Sequence, residues 1–299
     1  MKLFDLGSNS GFASELAEFN GQKPIEIEKK IFPNNEIYIR LTEDVKNDDV
    51  ILAGTSYPQP NDRFMELLLA VDAAKRGGAK SIKAAITYMA YGRQDRVQRE
   101  GEAVSAQATF QALLSVGLNE IYIADYHNPD TLRLIQLKAY NIRVSKALGE
   151  YVKKTYKLQE PVVILPGSKS MSEKYLIRAK EAAEGAGASY YTTLIKERDS
   201  VTGEVRTDKR KIGVQDKDVI LVDDEISTGS TVINAVKMLK QENPSRIFVA
   251  CTHGIFAGDS LAQIKSLGVA DVITSDSIPT PLSRVHLAPL FGNKMFGGI

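Results

Sequence analysis

Two adjacent carboxylates, Asp223 and Asp224, close an apolar run, and Ser227, Thr228, Gly229, Ser230 and Thr231 follow almost at once. Hydroxyls and backbone N–H groups around a glycine are the donors that a phosphate group needs, and glycine lets the backbone approach its oxygens closely. The two acids would repel that phosphate. They make sense if the same ligand also presents vicinal hydroxyls, or metal-bound oxygens, a few ångströms away, and a sugar phosphate meets both demands. An ordinary helix cap needs one such residue, whereas this segment supplies two carboxylates and four hydroxyls. It contains neither G-x-x-x-x-G-K-[ST] nor G-x-G-x-x-G, which sets aside the commoner nucleotide-binding loops.

Other candidates are spread along the chain. Arg93, Gln94, Asp95 and Arg96, with Arg99 beyond, offer forked donors to phosphate oxygens and an amide to a base edge; spacing alone leaves a solvated charged loop equally open. Phe32-Pro-Asn34-Asn-Glu36 joins an aromatic ring, a turn and an acid, which also suits an ordinary exposed loop with a partly buried Phe. His127 lies between Asp125-Tyr and Asn128-Pro-Asp130, a setting that by itself is more often that of a turn or capping residue than of a metal ligand. Lys196-Glu-Arg198 closes a strand-like run over 189–195 and leads into a polar stretch over 199–211, a loop or hairpin of the kind that closes over a reaction. Cys251 sits among Ile247, Phe248, Val249 and Ala250 and reads as a core thiol, while His253 and His286 carry no catalytic context.

The elements that must position these residues follow from periodicity. Strands are expected over 50–55, 81–88, 120–124, 162–165, 218–222, 246–251 and 272–274, and helices over 62–75, 103–115, 170–184, 230–240 and 260–267. The acidic pair thus falls at the carboxyl end of a buried strand and the hydroxyl loop at the amino end of a helix, where the helix dipole favours an anion. Arg93, Arg96 and Arg99 fall just beyond another strand's carboxyl end, where open α/β sheets bind ligands. This alternation is that of an α/β protein with parallel sheets, and its recurrence from about residue 48 and again from about residue 160 predicts two similarly built halves, 1–145 and 146–284. The apolar, Gly-containing tail 285–299 is expected to return to the first half.

Composition narrows the function classes. A chain of 299 residues that is 43% apolar can build two cores, and 38 basic against 37 acidic residues give no broad attraction to nucleic acid or membrane. One cysteine excludes an internal disulfide framework. No stretch approaches the roughly 20 apolar residues of a membrane span, and the beginning Met-Lys-Leu-Phe-Asp lacks an extended hydrophobic region, so a cytoplasmic protein is expected.

The segment from Asp223 to Thr231 resembles the phosphoribosyl-pyrophosphate loop shared by type I phosphoribosyltransferases and ribose-phosphate pyrophosphokinases, the PRPP synthetases. In both, the loop holds a 5-phosphate and the acids hold ribose hydroxyls. The first half distinguishes them. The stretch 88–96 is similar to the synthetase motif that contacts triphosphate and adenine, Phe32–Glu36 to its Phe-Pro-Asp-Gly-Glu adenine loop, and Asp125-Tyr-His127 to its Asp-Leu-His metal motif. With these motifs in order over nearly the whole chain, the protein is identified as a member of the synthetase family. The resemblance implies two phosphoribosyltransferase-like domains, each with a mainly parallel sheet flanked by helices, the first binding ATP and the second ribose 5-phosphate. It further implies Mg²⁺ held in part by His127, transition-state contacts from Lys196 and Arg198, and ATP contacts from Phe32, Asn34, Glu36, Arg93, Gln94, Asp95 and Arg96. The implied reaction moves the β,γ-diphosphoryl group of Mg-ATP to the 1-hydroxyl of ribose 5-phosphate. Self-association is implied too, because the family's adenine pocket borrows its Phe loop from a neighbouring subunit.

Three departures from the family pattern stand out. Gly167 occupies the position of a metal-binding Asp in Ser-Pro-Asp-x-Gly-Gly, within Pro166-Gly-Ser-Lys169-Ser170; Asn34 replaces an Asp; and Ser227 stands where many members carry Asp. Alternative readings are therefore a non-catalytic regulatory homologue, motivated by Gly167, and a phosphoribosyltransferase, disfavoured by the adenine-type motifs.

Overall fold

Short β-branched runs alternate with helices whose apolar residues recur every third or fourth position, and each such pairing builds one βα unit of a parallel sheet. In chain order the first elements are β1 (Lys2–Asp5), α1 (Ser10–Phe19), β2 (Ile25–Ile31), β3 (Ile37–Leu41), β4 (Asp49–Gly54), α2 (Pro60–Arg76), β5 (Ser81–Ile86) and α3 (Ser105–Val116). Then come β6 (Glu120–Ala124), α4 (Thr131–Leu134), β7 (Lys138–Ile142), α5 (Ser145–Thr155), β8 (Val162–Pro166), α6 (Glu173–Ala186) and β9 (Tyr190–Leu194). The rest are β10 (Lys196–Arg198), β11 (Val205–Thr207), β12 (Asp218–Ile226), α7 (Ser230–Leu239), β13 (Arg246–Gly254), α8 (Ser260–Ser266), β14 (Asp271–Ser275), β15 (Ser283–Val285) and α9 (Ala288–Phe296). This computed structural model describes residues 1–167, 173–194, 196–198, 205–207 and 212–297.

Two units result, Met1–Arg143 with Ser277–Pro279 and His286–Ile299, and Val144–Asp276 with Thr280–Val285. The first holds a seven-stranded sheet in the order β3-β2-β1-β4-β5-β6-β7, parallel except for β3. The second holds a six-stranded parallel sheet in the order β15-β14-β13-β12-β8-β9 and a separate antiparallel pair, β10-β11. Read in parallel, β2-β1-β4-β5-β6-β7 and β9-β8-β12-β13-β14-β15 are the same topology. Each unit also carries antiparallel structure at the same point, between the second and third parallel strands: the single strand β3, paired with β2, in the first and the β10-β11 pair in the second. In each sheet the strand order reverses between the first and third parallel strands, β1 and β4 or β8 and β12, and at such a switch point the carboxyl strand ends open a crevice.

The helices cover both faces. In the first unit α2 and α3 bury Leu67, Val71, Phe110 and Leu113 against Phe4, Leu52 and Ile123. On the other face α1 meets α9, with Phe12 and Phe291 edge to face at 4.9 Å. The expected tail is thus helix α9, and its Gly292 fits because a Cβ there would lie 2.5 Å from the Phe19 ring. In the second unit α7 covers Val219, Leu221, Val249 and Cys251. The opposite face packs α5 and α6, whose backbones cross so closely that a Cβ on Gly149 or Gly185 would lie 2.1 Å from a carbonyl of the other helix.

The structure changes several element assignments. The strand expected over 218–222 runs on to Ile226, so Asp223 and Asp224 are strand residues and the loop proper is only 227–229. Lys196 and Arg198 do not end the preceding strand; they form β10, paired Lys196 to Thr207 and Arg198 to Val205. Periodicity missed β1, α1, β2, β3, α4, β7, α5, β15 and α9. Among them β2 reads Ile-Glu-Ile-Glu-Lys-Lys-Ile and is too polar to announce a sheet strand by composition.

Candidate active site

In the second unit the switch point lies at the ends of β8 and β12, where the sequence puts its acids and hydroxyls. From Ile226 the chain turns through Ser227 and Thr228 to Gly229, which has φ +71° and would place a Cβ 3.1 Å from Ser260 and 3.3 Å from Ile264. Only glycine takes both the left-handed turn and the close approach of α8 without strain. The Ser227 carbonyl accepts from Ala257 N at 3.0 Å and from the Ser260 hydroxyl at 3.2 Å, which anchors the loop. Gly229 is the residue before α7 and has no side chain to cap it, so the first-turn N–H groups lack a side-chain cap beside the exposed Thr228, Ser230 and Thr231, the arrangement of donors that suits an anion.

Adjacent strand residues point to opposite faces, so Asp223 and Asp224 are not equivalent. Asp223 pairs in register with Cys251 on the α7 face. Asp224 is 6% exposed and meets the guanidinium of Arg178, on α6, at 3.5 Å; Arg178 itself is 7% exposed. Burial pushes the Asp223 carboxyl well above the usual carboxylate range, the charge of Asp224 adds to that push, and Arg178 opposes it. Burial likewise pushes the Cys251 thiol up, with Asp223 adding to the effect, as suits the core thiol expected from sequence.

In the first unit a returning segment meets the ends of β4 and β5. Thr55, just beyond β4, and Thr87, just beyond β5, both donate to the carbonyl of Ser277, at 3.1 and 2.8 Å. The chemistry-bearing residues lie one strand further along, beyond β5 and β6. Gly92 packs so closely on Tyr126 that a Cβ would lie 3.0 Å from its ring, and Asp95 accepts a hydrogen bond from the Asn128 amide. His127, partly exposed, is held between those two contacts. Gln94 is turned toward α3, where its Oε1 accepts from the Ser105 hydroxyl at 2.6 Å and its carbonyl from Ala106 N at 3.2 Å. Arg93 and Arg96 are exposed at the rim of this loop pair.

Phe32, Asn34 and Glu36 stand apart. β1 ends opposite Glu26 of β2, and β2 runs on through Ile27–Ile31, paired there with β3. Those five residues carry the hairpin about 16 Å past the end of β1. Its turn closes with Phe32 N to Glu36 O at 2.8 Å and Glu36 N to Asn34 Oδ1 at 3.2 Å, so Asn34 shapes the turn. Phe32 is 45% exposed, its ring packed edge to face on Tyr38 at 6.1 Å, and Ile31 beside it is 74% exposed.

Comparison with known proteins decides the family. Residues 1–117 match the family model described as the N-terminal domain of ribose phosphate pyrophosphokinase, and residues 201–290 match the phosphoribosyl synthetase-associated domain. The ribose-phosphate pyrophosphokinase of Thermococcus kodakarensis is 35% identical over 96% of this chain and 98% of its own length. That of Pyrococcus furiosus is 38% identical over 91% of this chain and 93% of its own. The chain belongs to the ribose-phosphate pyrophosphokinase family. Phosphoribosylpyrophosphate synthetase from Mycobacterium smegmatis has the same fold, with a TM-score of 0.85, 26% identity, and coverage of 98% of this chain and 96% of that one.

Within this pyrophosphokinase family member the sequence-derived residues fall into three groups. Asp223, Asp224 and Ser227–Thr231 follow one another along the carboxyl end of β12 and into the start of α7. Arg93, Gln94, Asp95, Arg96 and His127 share two touching loops of the first, while Phe32, Asn34 and Glu36 occupy the projecting hairpin. Lys196 and Arg198 lie on β10, and their side chains, together with Ser168, Lys169 and Ser170, fall outside the described residues. Sequence reasoning missed Arg178 and Asn128. Arg178 shares a helix face with Ala182 and Gly185, and a cation on a small-residue face is the signal that a buried partner awaits it.

Proposed function

We propose that the protein transfers the β,γ-diphosphoryl group of ATP to the 1-hydroxyl of ribose 5-phosphate, giving 5-phosphoribosyl 1-pyrophosphate and AMP. The observation that carries this reading is the switch-point crevice of the second unit, where a carboxylate pair on β12 leads directly into an open, hydroxyl-rich helix start. In this reading Ser227, Thr228, Gly229, Ser230 and Thr231 bind the 5-phosphate, and Asp223 and Asp224 accept from the ribose hydroxyls. Arg93 and Arg96 bind the triphosphate, and Asp95 fixes the loop that carries them. Gln94 keeps its amide N–H₂ for the adenine, since its oxygen is engaged by Ser105. Phe32, Asn34 and Glu36 contact adenine from the projecting hairpin, and the exposure of Phe32 at its tip supports a homo-oligomer in which a second copy supplies that ring.

The 1-oxygen of ribose bonds to the β-phosphorus, the bond from that phosphorus to the α,β-bridging oxygen breaks, and the hydroxyl proton is lost. Such a transfer depends on positioning and charge neutralisation and needs no protein nucleophile. Lys196 and Arg198 supply cationic charge to the transferring group. His127 suits a cation already chelated by ATP phosphates, because that cation needs few protein ligands and Mg²⁺ takes its remaining ones from phosphate oxygens and water. When bound, Mg²⁺ neutralises phosphate charge. The reading places the reaction in the cytoplasm; no helix among the described residues is long and apolar enough to cross a membrane.

The test is incubation of purified protein with Mg-ATP and ribose 5-phosphate, with products followed by ³¹P NMR. AMP and 5-phosphoribosyl 1-pyrophosphate in equal amounts are expected, and Lys196→Ala or Arg198→Ala should lower kcat by about 10²-fold or more. No turnover would overturn the reading in favour of a non-catalytic homologue. Consumption of the pyrophosphate product with a nucleobase would instead indicate a phosphoribosyltransferase.

A further inference from the structure

We infer that Arg178 is a positioning residue of the ribose-phosphate site, holding Asp224 on the α6 side of the sheet and cancelling one of the two adjacent charges that would repel a phosphorylated sugar. The inference rests on the proposed function and adds a residue to it. The strand β12 ends Asp223-Asp224-Glu225, three acids immediately ahead of a loop built for an anion. Left alone, these charges oppose the ligand that the loop would bind. Arg178 reaches Asp224 from α6 at 3.5 Å, with both side chains nearly out of contact with water. A guanidinium there is permanently charged, and at low exposure its attraction to the carboxylate is little screened.

The geometry assigns different duties to the two acids. Asp224 is fixed from the α6 face, while Asp223 and Glu225 project to the other face, with Cys251 and His253 as their register partners on β13. Among the described residues, Arg178 from α6 is paired with Asp224, and Cys251 and His253 of β13 stand in register with Asp223 and Glu225. The effect of Arg178 on Asp223 has the same sign, since its charge opposes the push that burial and Asp224 exert on that carboxyl. Loss of Arg178 would release Asp224 to rotate and would leave the crevice more negative, so the sugar phosphate should bind less well while the nucleotide loops of the first unit are untouched.

The test is steady-state kinetics on Arg178→Met, Arg178→Lys, Asp224→Asn and the double variant Arg178→Met/Asp224→Asn, with ribose 5-phosphate binding measured by calorimetry on each. Arg178→Met should raise KM for ribose 5-phosphate about tenfold or more, and KM for Mg-ATP should change less than about twofold. Arg178→Lys should recover part of the loss. In the Asp224→Asn background, where the carboxylate paired with Arg178 is gone, adding Arg178→Met should change KM for ribose 5-phosphate less than about twofold. Should Arg178→Met not fold, Arg178→Lys and the double variant, which buries no unpaired charge, decide the matter. Equal shifts in both KM values, or a full Arg178→Met effect in the Asp224→Asn background, would overturn the inference while leaving the function intact. Wild-type protein that binds ribose 5-phosphate but makes no AMP overturns the proposed reaction alone, and calorimetry of the variants then decides on Arg178. Wild-type protein that does not bind the sugar phosphate overturns both.

Discussion

Asp95, in the loop between β5 and α3, accepts a hydrogen bond from the side-chain amide of Asn128, in the loop that follows β6. The two residues are 33 positions apart, yet neighbouring parallel strands deliver their loops to the same sheet edge. Together with the contact of Gly92 on Tyr126, the bond holds the arginine loop against the segment that contains His127.

Cutting this bond should loosen the nucleotide loops without unfolding them. Asn128→Ala removes the donor, and a net hydrogen bond of about 1 kcal/mol predicts a roughly fivefold rise in KM for Mg-ATP. KM for ribose 5-phosphate and the melting temperature should stay near wild type. Nucleotide titrations followed by calorimetry and a thermal melt check both statements.

The α5–α6 crossing should tolerate no added methyl group. Gly149→Ala and Gly185→Ala each drive a Cβ to within 2.1 Å of a backbone carbonyl, so the helices must move apart. Each substitution should cost about 3 kcal/mol, read as a lower urea midpoint. Lys265→Ala, at an exposed position of α8 on the other face, serves as a control.

Acid stability of the second unit should depend on Arg246. Burial alone would push Asp218 up, but hydrogen bonds from the Arg246 guanidinium and from Gln159 N, with the charge of Arg246, hold its carboxyl below the usual range. A depressed folded value contributes stability that is present above the unfolded pKa of about 3.9 and is lost as pH falls through the folded value. Arg246→Ala leaves burial opposed by the Gln159 N–H alone, so unfolding should begin at a higher pH than in wild type. Because the Arg246 side chain is 37% exposed, the neutral-pH loss should be moderate, roughly 2 kcal/mol. Circular dichroism between pH 2 and 7 reads both effects.

The returning helix should be a structural part of the first unit and not of the sugar site. Phe291→Ala empties the fully buried space against Phe12 and should destabilise the protein by about 3–4 kcal/mol. Ribose 5-phosphate affinity should be unchanged within about twofold. A large affinity change with a normal melting curve would contradict this division of labour.

Much of the molecule is legible in one dimension because its signals are local. A β-branched run such as Val219–Val222 and an apolar spacing such as Val232, Val236, Leu239 each declare an element within a few residues, and a phosphate loop must be contiguous because it is made of successive backbone N–H groups. The acidic pair, the hydroxyl cradle, the arginine loop and the repetition of βα units are therefore read directly from order and type. What the chain order hides is everything set by register and by packing between distant elements. That Asp223 and Asp224 face opposite sides follows from the extension of β12 to Ile226. Arg178 reaches Asp224 only because α6 lies on that face, and Ser277 meets Thr55 only because the chain returns over a separation of 222 residues. Residue types and spacing determined which ligand this protein is suited to hold. Only the folding of the sheets decided which charges stand beside one another, because a carboxylate's partner is fixed by distance in space and the sequence specifies distance only along the chain.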